Sequence, residues 1–232
     1  MPMTDLHTHI LPGMDDGAQT MEEALAMLRM EAQQGVDTVA LTPHFYRDKE
    51  DLKTFLDRRQ TAWDQLLENT KDMEYPKLIL GAEVAWAPGM ADWPELENLC
   101  YQGTKTLLIE LPTTPWADIV YHQLYRLEGR RGIMPMIAHV DRYLRLQSKK
   151  SLLRMLDMGY PVQVSAEALL RFWDRESAMN MLKQYDGLLI SDCHNLTDRK
   201  PNLDAGIKKL EKRFGRTAAR ELASLTDDAL FD

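Results

Sequence analysis

The sequence predicts an α/β protein built on parallel strands, either an open doubly wound sheet or a barrel. Two observations carry this. Short apolar runs of β-type alternate with helical patterns about seven times along 232 residues, and strand–helix–strand repetition of that kind gives parallel units joined by right-handed crossovers. No Gly-rich phosphate loop follows any of the runs, which weakens the nucleotide-binding form of the open sheet.

The elements follow in order. The first predicted strand is 3–6. A helix over 20–34 opens on Thr20 with Glu23 three residues later, the pattern of a capping box, and stops at Gly35. Its MEEALAMLRM run reads as plastic core packing by methionine. A strand at 38–41 leads to a helix over 51–70, and a third strand occupies 78–82. The segment EVAWAPGMADWPELENL, with Trp86 and Trp93, follows and reads as a packed loop. Strands at 106–109, 134–138, 161–164 and 187–190 then alternate with helices over 119–130, 148–158 and 176–185. A last helix over 202–214 is followed by a further helical tail. No linker, repeat or low-complexity tract interrupts the series, so residues 1–232 read as a single domain.

Composition narrows the function. Hydrophobic content of 44% with 28% charged residues is that of a globular protein. No apolar run is long enough to span a membrane, and the N-terminus has neither the basic nor the apolar region of a signal peptide. Two cysteines, Cys100 and Cys193, cannot make a disulfide framework, and together these features predict a cytoplasmic location. A net charge of −8 argues against nucleic acid as a partner. It would also repel anionic substrates unless the active site carries positive charge of its own.

The histidines supply that site. Of six, five fall directly after a predicted strand: His7 and His9, His44, His139 and His194. Glu83, Glu110 and Asp192 fill the intervening strand ends. In a parallel barrel all strand C-termini open on one face, so these residues would share one mouth. His122, inside a helical pattern, reads as an ordinary surface or core histidine. Imidazole and carboxylate without thiolate suits zinc, manganese or iron, and so many ligands suit two or three ions. Three divalent ions would bring six positive charges against about four carboxylates, a cationic mouth on an acidic protein. A bridging water acidified by the metals toward a pKa of ~7 would supply the nucleophile. Arg142, three residues beyond His139, and Arg199, five beyond His194, are suited to clamp phosphate oxygens. The alternative is that each pairs with a nearby acid such as Asp141 or Asp198.

DLHTH at the start, TPH at 42–44, GAE at 81–83, IEL at 109–111, IAHVDR at 137–142 and SDCHN at 191–195 together resemble the PHP (polymerase and histidinol phosphatase) family. The HILPGMDDG loop and the HN-x3-R ending are most similar to its bacterial manganese-dependent protein-tyrosine phosphatases, associated with capsule and exopolysaccharide operons. The resemblance implies a distorted seven-stranded βα barrel (TIM-barrel-like) with three divalent ions, Mn first and Fe or Zn as alternatives, at its C-terminal mouth. It implies His7, His9, Glu83 and Asp192 on one ion, Glu83 bridging to a second shared with Glu110 and His139, and Asp16, His44 and His194 on the third. It makes Arg142 and Arg199 the phosphate-binding residues. Thr8, Asp141 and Cys193 depart mildly from the family pattern, and none of them removes a ligand. Asp15 reads as a loop cap, so Asp16→Ala is expected to cost a metal and most activity, and Asp15→Ala much less.

The reaction implied is in-line attack of metal-bridging hydroxide on phosphotyrosine, with Asp16, His44 or His194 assisting the leaving phenolate. The implied partner is the tyrosine-rich tail of a bacterial autokinase. Three rivals are set beside it: a small-molecule phosphatase acting on a compound such as histidinol phosphate, a non-catalytic metal-binding module, and a cysteine-dependent phosphatase. Cys193 and Arg199 have the C-x5-R spacing of that last class, but the intervening HNLTD lacks glycine and places Asp198 beside the arginine.

Overall fold

The structure, a computed structural model, describes residues 3–219 together with 221 and 222. All strand pairing in it is parallel. β1 (Thr4–Thr8), β2 (Thr38–Leu41) and β4 (Lys77–Leu80) form one sheet in the order β1-β2-β4. β3 (His44–Phe45), β5 (Glu83–Ala85), β6 (Thr106–Glu110) and β7 (Met134–Ile137) form a second, in the order β3-β5-β6-β7. β8 (Gln163–Ser165) and β9 (Leu188–Ile190) make a third pair.

Seven strands were expected, and nine are found, because the chain leaves strand geometry twice for two residues. Thr42-Pro43 separates β2 from β3, where proline has no N–H to give to a ladder. Gly81-Ala82 separates β4 from β5, and a Cβ at Gly81 would lie 3.1 Å from the Tyr101 ring. Hydrogen bonds cross both breaks, from Gly81 N to Leu41 O at 2.9 Å and from Glu83 N to Pro43 O at 3.0 Å. The three sheets are also stitched together. Ile137 bridges to Val162, and Thr8 bridges to Cys193, both in the parallel sense.

Most strand residues are buried, as in parallel strands covered on both faces. Leu6, Ala40, Ile79, Leu108, Met136, Leu188 and Ile190, from six different strands, meet with Tyr101 and Ala138 in one buried cluster. A larger cluster lies between the strands and the helices α1 (Met21–Gln34), α2 (Leu52–Thr70), α3 (Asp118–Arg131), α4 (Lys149–Leu156), α5 (Ala166–Leu170), α6 (Arg175–Gln184) and α7 (Leu203–Phe214). α1 starts as its sequence requires, with Thr20 accepting from Glu23 N, but the Glu23 carboxylate reaches back to Gln19 N and not to Thr20 N. Gly35 ends it in the left-handed conformation. α5, five residues long, was not expected, and the helix predicted over 148–158 stops at Leu156. Met27 is fully buried on α1, with Met21 and Met30 partly so. Trp86 and Trp93 pack on the core, Trp93 edge-on to Phe45 at 6.2 Å, as a packed loop would have them. Residues 216–219 and 221–222 are helical after Phe214, and the rest of the expected tail lies outside the described residues.

Candidate metal centre

The C-terminal ends of the strands deliver nine side chains to one place. β1 carries an extra residue relative to β2, its register passing from Asp5↔Val39 to Thr8↔Leu41. The bulge falls on the segment that presents His7, as bulges beside functional groups often do. His7 and His9, two apart on extended backbone, bring their Nε2 atoms to 3.1 Å. β3 supplies His44, β5 Glu83 and β6 Glu110; His139 and Asp192 lie just beyond β7 and β9. These last two have φ of +28° and +53°. Side chains rarely adopt that conformation, and it turns both residues out of strand geometry at the mouth.

Four overlapping groups have one ligand atom each within 4.8 Å of one another: His9, Asp16, His44 and His194; His7, Glu83 and His139; His7, His9 and Asp192; and His44, Glu83 and Glu110. All nine residues expected at the centre are in these groups. Asp16 reaches them from a loop folded back under β1. Gly13 makes the turn at φ +69°, and Gly17 lies so close to His9 that an added Cβ would stand 2.0 Å from the His9 carbonyl oxygen. Asp16 Oδ1 is 3.5 Å from Nε2 of both His44 and His194.

The hydrogen bonding around the imidazoles decides which nitrogens face inward. His7 Nδ1 meets Gln163 Oε1 at 2.8 Å, with the Gln163 amide nitrogen turned toward Tyr101 Oη. His9 Nδ1 donates to Asp15 Oδ2 at 2.7 Å, and His194 Nδ1 donates to Asp192 O at 2.9 Å. With Nδ1 the donor in each, a neutral imidazole would turn its Nε2 lone pair inward, and those of His7 and His9 would point at each other. Such an arrangement holds a cation between them, a metal ion or a proton. Two more buried atoms agree: Glu83 Oε2 and His194 Nε2 have no hydrogen-bond partner. Glu83 Oε2 nonetheless lies 2.8 Å from His44 Nδ1, 3.2 Å from His7 Nε2 and 3.4 Å from His9 Nε2. Atoms converging without directed hydrogen bonds fit a shared metal ion, and the N/O donor set fits manganese, iron or zinc.

The electrostatics match. Burial disfavours ionised Glu83 and Asp192, yet the charge of His7 and the hydrogen bonds of the surrounding imidazoles hold both carboxyls well below their ordinary range. Burial lowers the proton affinity of His7 and His9, and their carboxylate neighbours more than reverse it. His194 is pushed down to about 3 by burial and then by the nearby His9, so it is a neutral imidazole at pH 7.

The two arginines lie on the ligands themselves. Arg142 donates to Glu110 Oε1 at 2.6 Å and Asp192 Oδ2 at 3.4 Å, and Arg199 to Asp192 Oδ2 at 3.1 Å. The alternative partners are engaged elsewhere: Asp141 caps Ser165 N and Oγ, and Asp198 accepts from Thr197. A cavity of about 530 Å³ opens beside them, lined by His139, Arg142, Asp192 and Arg199.

Sequence reading missed the supports. Asp15 is more than a loop cap. Besides His9 Nδ1 it accepts from His44 N at 2.8 Å and Gly17 N at 2.9 Å, and against the effect of burial these partners hold it at about 2. Gln163 and Tyr101, which fix the His7 tautomer, have no local sequence signature at all. Tyr46 packs against His44, the ring centroids 5.2 Å apart and the planes tilted by 40°. His122 is exposed, away from the centre.

Cys193 cannot act as a thiolate nucleophile. It is fully buried, and burial followed by the charges of Glu31 and Asp5 pushes the thiol well up. The backbone amides of His194 and Asn195 both donate to Arg199 O, closing the loop on itself where an anion cradle would need them free.

The family described as capsular polysaccharide synthesis, CpsB/CapC, matches residues 3–231. Tyrosine-protein phosphatase CpsB of Streptococcus agalactiae serotype V is 29% identical, over 95% of this chain and 94% of its own length. Tyrosine-protein phosphatase YwqE of Bacillus subtilis is 29% identical, over 92% and 85%. A chain from the crystal structures of B. subtilis YwqE and Streptococcus pneumoniae CpsB, described as unique metal-dependent tyrosine phosphatases, superposes with a TM-score of 0.82. It is 27% identical and the match covers 98% of this chain and 92% of that one.

Proposed function

The chain belongs to the capsular polysaccharide synthesis family CpsB/CapC, and on that premise we propose that it is a metal-dependent protein-tyrosine phosphatase. The observation that carries the reading is the convergence of the His7 and His9 Nε2 atoms on the orphaned Glu83 Oε2, at 3.2 and 3.4 Å. We read the three stitched sheets as one distorted seven-stranded barrel, with β2/β3 and β4/β5 each counted as one broken strand. The buried cluster drawn from six strands supports this.

His7, His9, Glu83 and Asp192 would hold one ion, Glu83 with His139 and Glu110 a second, and Asp16, His44 and His194 a third, with manganese the expected metal. Bound there, divalent ions supply Lewis acidity toward phosphoryl oxygens and lower the pKa of water toward neutrality. Arg142 and Arg199 bind the phosphoryl oxygens bidentately and, both being anchored on Asp192, hold the group against the strand ends. The leaving phenolate needs little help, since tyrosine has a pKa of ~10. One of Asp16, His44 and His194, which lie together with Asp16 Oδ1 3.5 Å from both imidazoles, would assist its departure. The substrate would be a flexible tyrosine-phosphorylated tail, that of a cytoplasmic-side bacterial autokinase, and the phosphatase would itself be cytoplasmic. No described helix is long and apolar enough to cross a membrane.

Metal content and phosphatase rate, measured together before and after chelation and after manganese add-back, test the reading. Loss of both and recovery of both on phosphotyrosine peptide is the expected result. Retained rate after complete removal of metal overturns it, and faster turnover of histidinol phosphate reassigns the substrate.

A further inference from the structure

The cavity beside the metal centre runs from buried His139 out to Arg145, Arg171 and Asp174. Between the last two, the chain carries Phe172 and Trp173, 75% and 82% exposed, the most exposed large hydrophobic residues among those described. Their rings pack edge to face on each other at 5.2 Å and 85°. The turn that bears them is pinned on both sides. Arg175 donates to Leu169 O at 2.7 Å and Leu170 O at 3.0 Å, and Arg145 donates to Asp174 Oδ1 at 2.7 Å. Two adjacent aromatics held in solvent by a polar frame mark a contact surface, where a lone exposed apolar side chain would not.

We propose that Phe172 and Trp173, flanked by Arg145 and Arg171, dock the peptide on one side of the phosphotyrosine: an extended anionic segment that lays an apolar side chain on the two rings. The inference rests on the phosphatase reading and deepens it. Arg171 and Asp174, the residues on either side of the two rings in sequence, line the cavity that takes the phosphoryl group, so a chain leaving that cavity has the rings within reach. Arg145 stays with the largely buried Asp174 and holds the turn, whereas Arg171 is engaged by an exposed pair with Glu167. A pair of that second kind is weak and exchanges readily for a peptide carboxylate. Rigid aromatic rings give contact area at small entropic cost.

The other occupants fit less well. A membrane presents a continuous anionic sheet to a chain that carries −8 overall, whereas a peptide need meet only the arginines beside the rings. Two side chains fall far short of the ~800 Å² per partner of a stable dimer.

The test compares wild type with Phe172→Ser/Trp173→Ser, both loaded with manganese, on two substrates. One is p-nitrophenyl phosphate, which has no flanks; the other is a phosphotyrosine peptide with acidic and leucine residues around the tyrosine. The variant is expected to match wild type on p-nitrophenyl phosphate and to lose about tenfold in kcat/KM on the peptide, through KM. Replacing the peptide's flanks by Gly and Ser should bring wild type down to the variant. Equal peptide rates in the two proteins, or equal losses on both substrates, overturn the proposal. So does vesicle binding (phosphatidylglycerol with phosphatidylcholine) or self-association that the double substitution abolishes. A wild type inactive on every aryl phosphate removes the phosphatase reading instead. Docking is then judged by titrating a non-hydrolysable phosphonate peptide, which must bind wild type at least several-fold tighter than the variant for the proposal to stand.

Discussion

Asp15 Oδ2 accepts the Nδ1 proton of His9 at 2.7 Å and the backbone N–H of His44 at 2.8 Å, so one buried carboxylate orients two residues of the candidate metal centre. Its neighbour Asp16 points the other way, 64% exposed, toward His44 and His194.

This pairing gives Asp15 a larger part than that of a loop cap, whose loss would cost much less than that of Asp16. Asp15→Ala frees the His9 ring and the His44 backbone, and metal affinity should fall about 10–100-fold, the usual effect of removing a carboxylate behind a ligating histidine. Asp16→Ala should lose metal stoichiometry as well as rate. Metal titration followed by calorimetry distinguishes the two; an Asp15→Ala protein with unchanged affinity would sink the role given to it.

A second carboxyl pair governs stability. Asp5 Oδ2 and Glu31 Oε2 are buried without hydrogen-bond partners. Burial raises Asp5 to about 6, against the opposing effect of its bonds from Ser191 and His7 N; burial and then Asp5 raise Glu31. Both folded values exceed the unfolded ones, so the protonated pair is favoured below pH ~4 and its contribution is lost as pH rises through ~6. Glu31→Gln should therefore raise stability at pH 8, on the order of 1–3 kcal/mol, with the gain shrinking below pH ~5. Urea unfolding at both pH values, with metal content held equal, checks it. A gain of the same size at pH 8 and pH 4 would count against the pair.

Cys193→Ala should leave aryl phosphatase activity within about twofold while costing about 1–2 kcal/mol for the emptied space. Activity lost to the same extent as by chelation would return the thiol to the reaction.

Gly17→Ala places a methyl 2.0 Å from the His9 carbonyl oxygen, whereas Gly13→Ala meets nothing within 4 Å and suffers only its φ of +69°. The first should cost several kcal/mol and metal binding, the second about 1 kcal/mol and no metal. Thermal unfolding and metal content measured on both variants decide the matter, and comparable losses would show that the turn, not the close approach, is what matters.

The strands were legible because parallel strands covered on both faces are continuous apolar runs, and the ligands because parallel strands end together. The breaks at Thr42-Pro43 and Gly81-Ala82 were not, since the next residues, His44 and Glu83, resume the strand and were read as loop. α5 is too short for its period to show. The centre's supports were invisible for a different reason. Gln163 lies 156 residues from His7 and Glu31 faces the core from an ordinary amphipathic helix. A lone glutamine or glutamate carries no spacing, and only the folded chain says what it touches.

The stitching of the first strand to the last has a consequence for how the centre comes into being. His9 N bonds to Cys193 O, Asp192 N bonds to His7 O, and the His9 and His194 rings stack at 3.8 Å. During synthesis His7 and His9 emerge first, and their partners Asp192, His194 and Arg199 emerge only after nearly two hundred residues have been made. Metal capture is thus a late act of biogenesis, gated by the longest-range contacts of the chain. A polypeptide stalled before the final strand would hold scattered imidazoles and no centre.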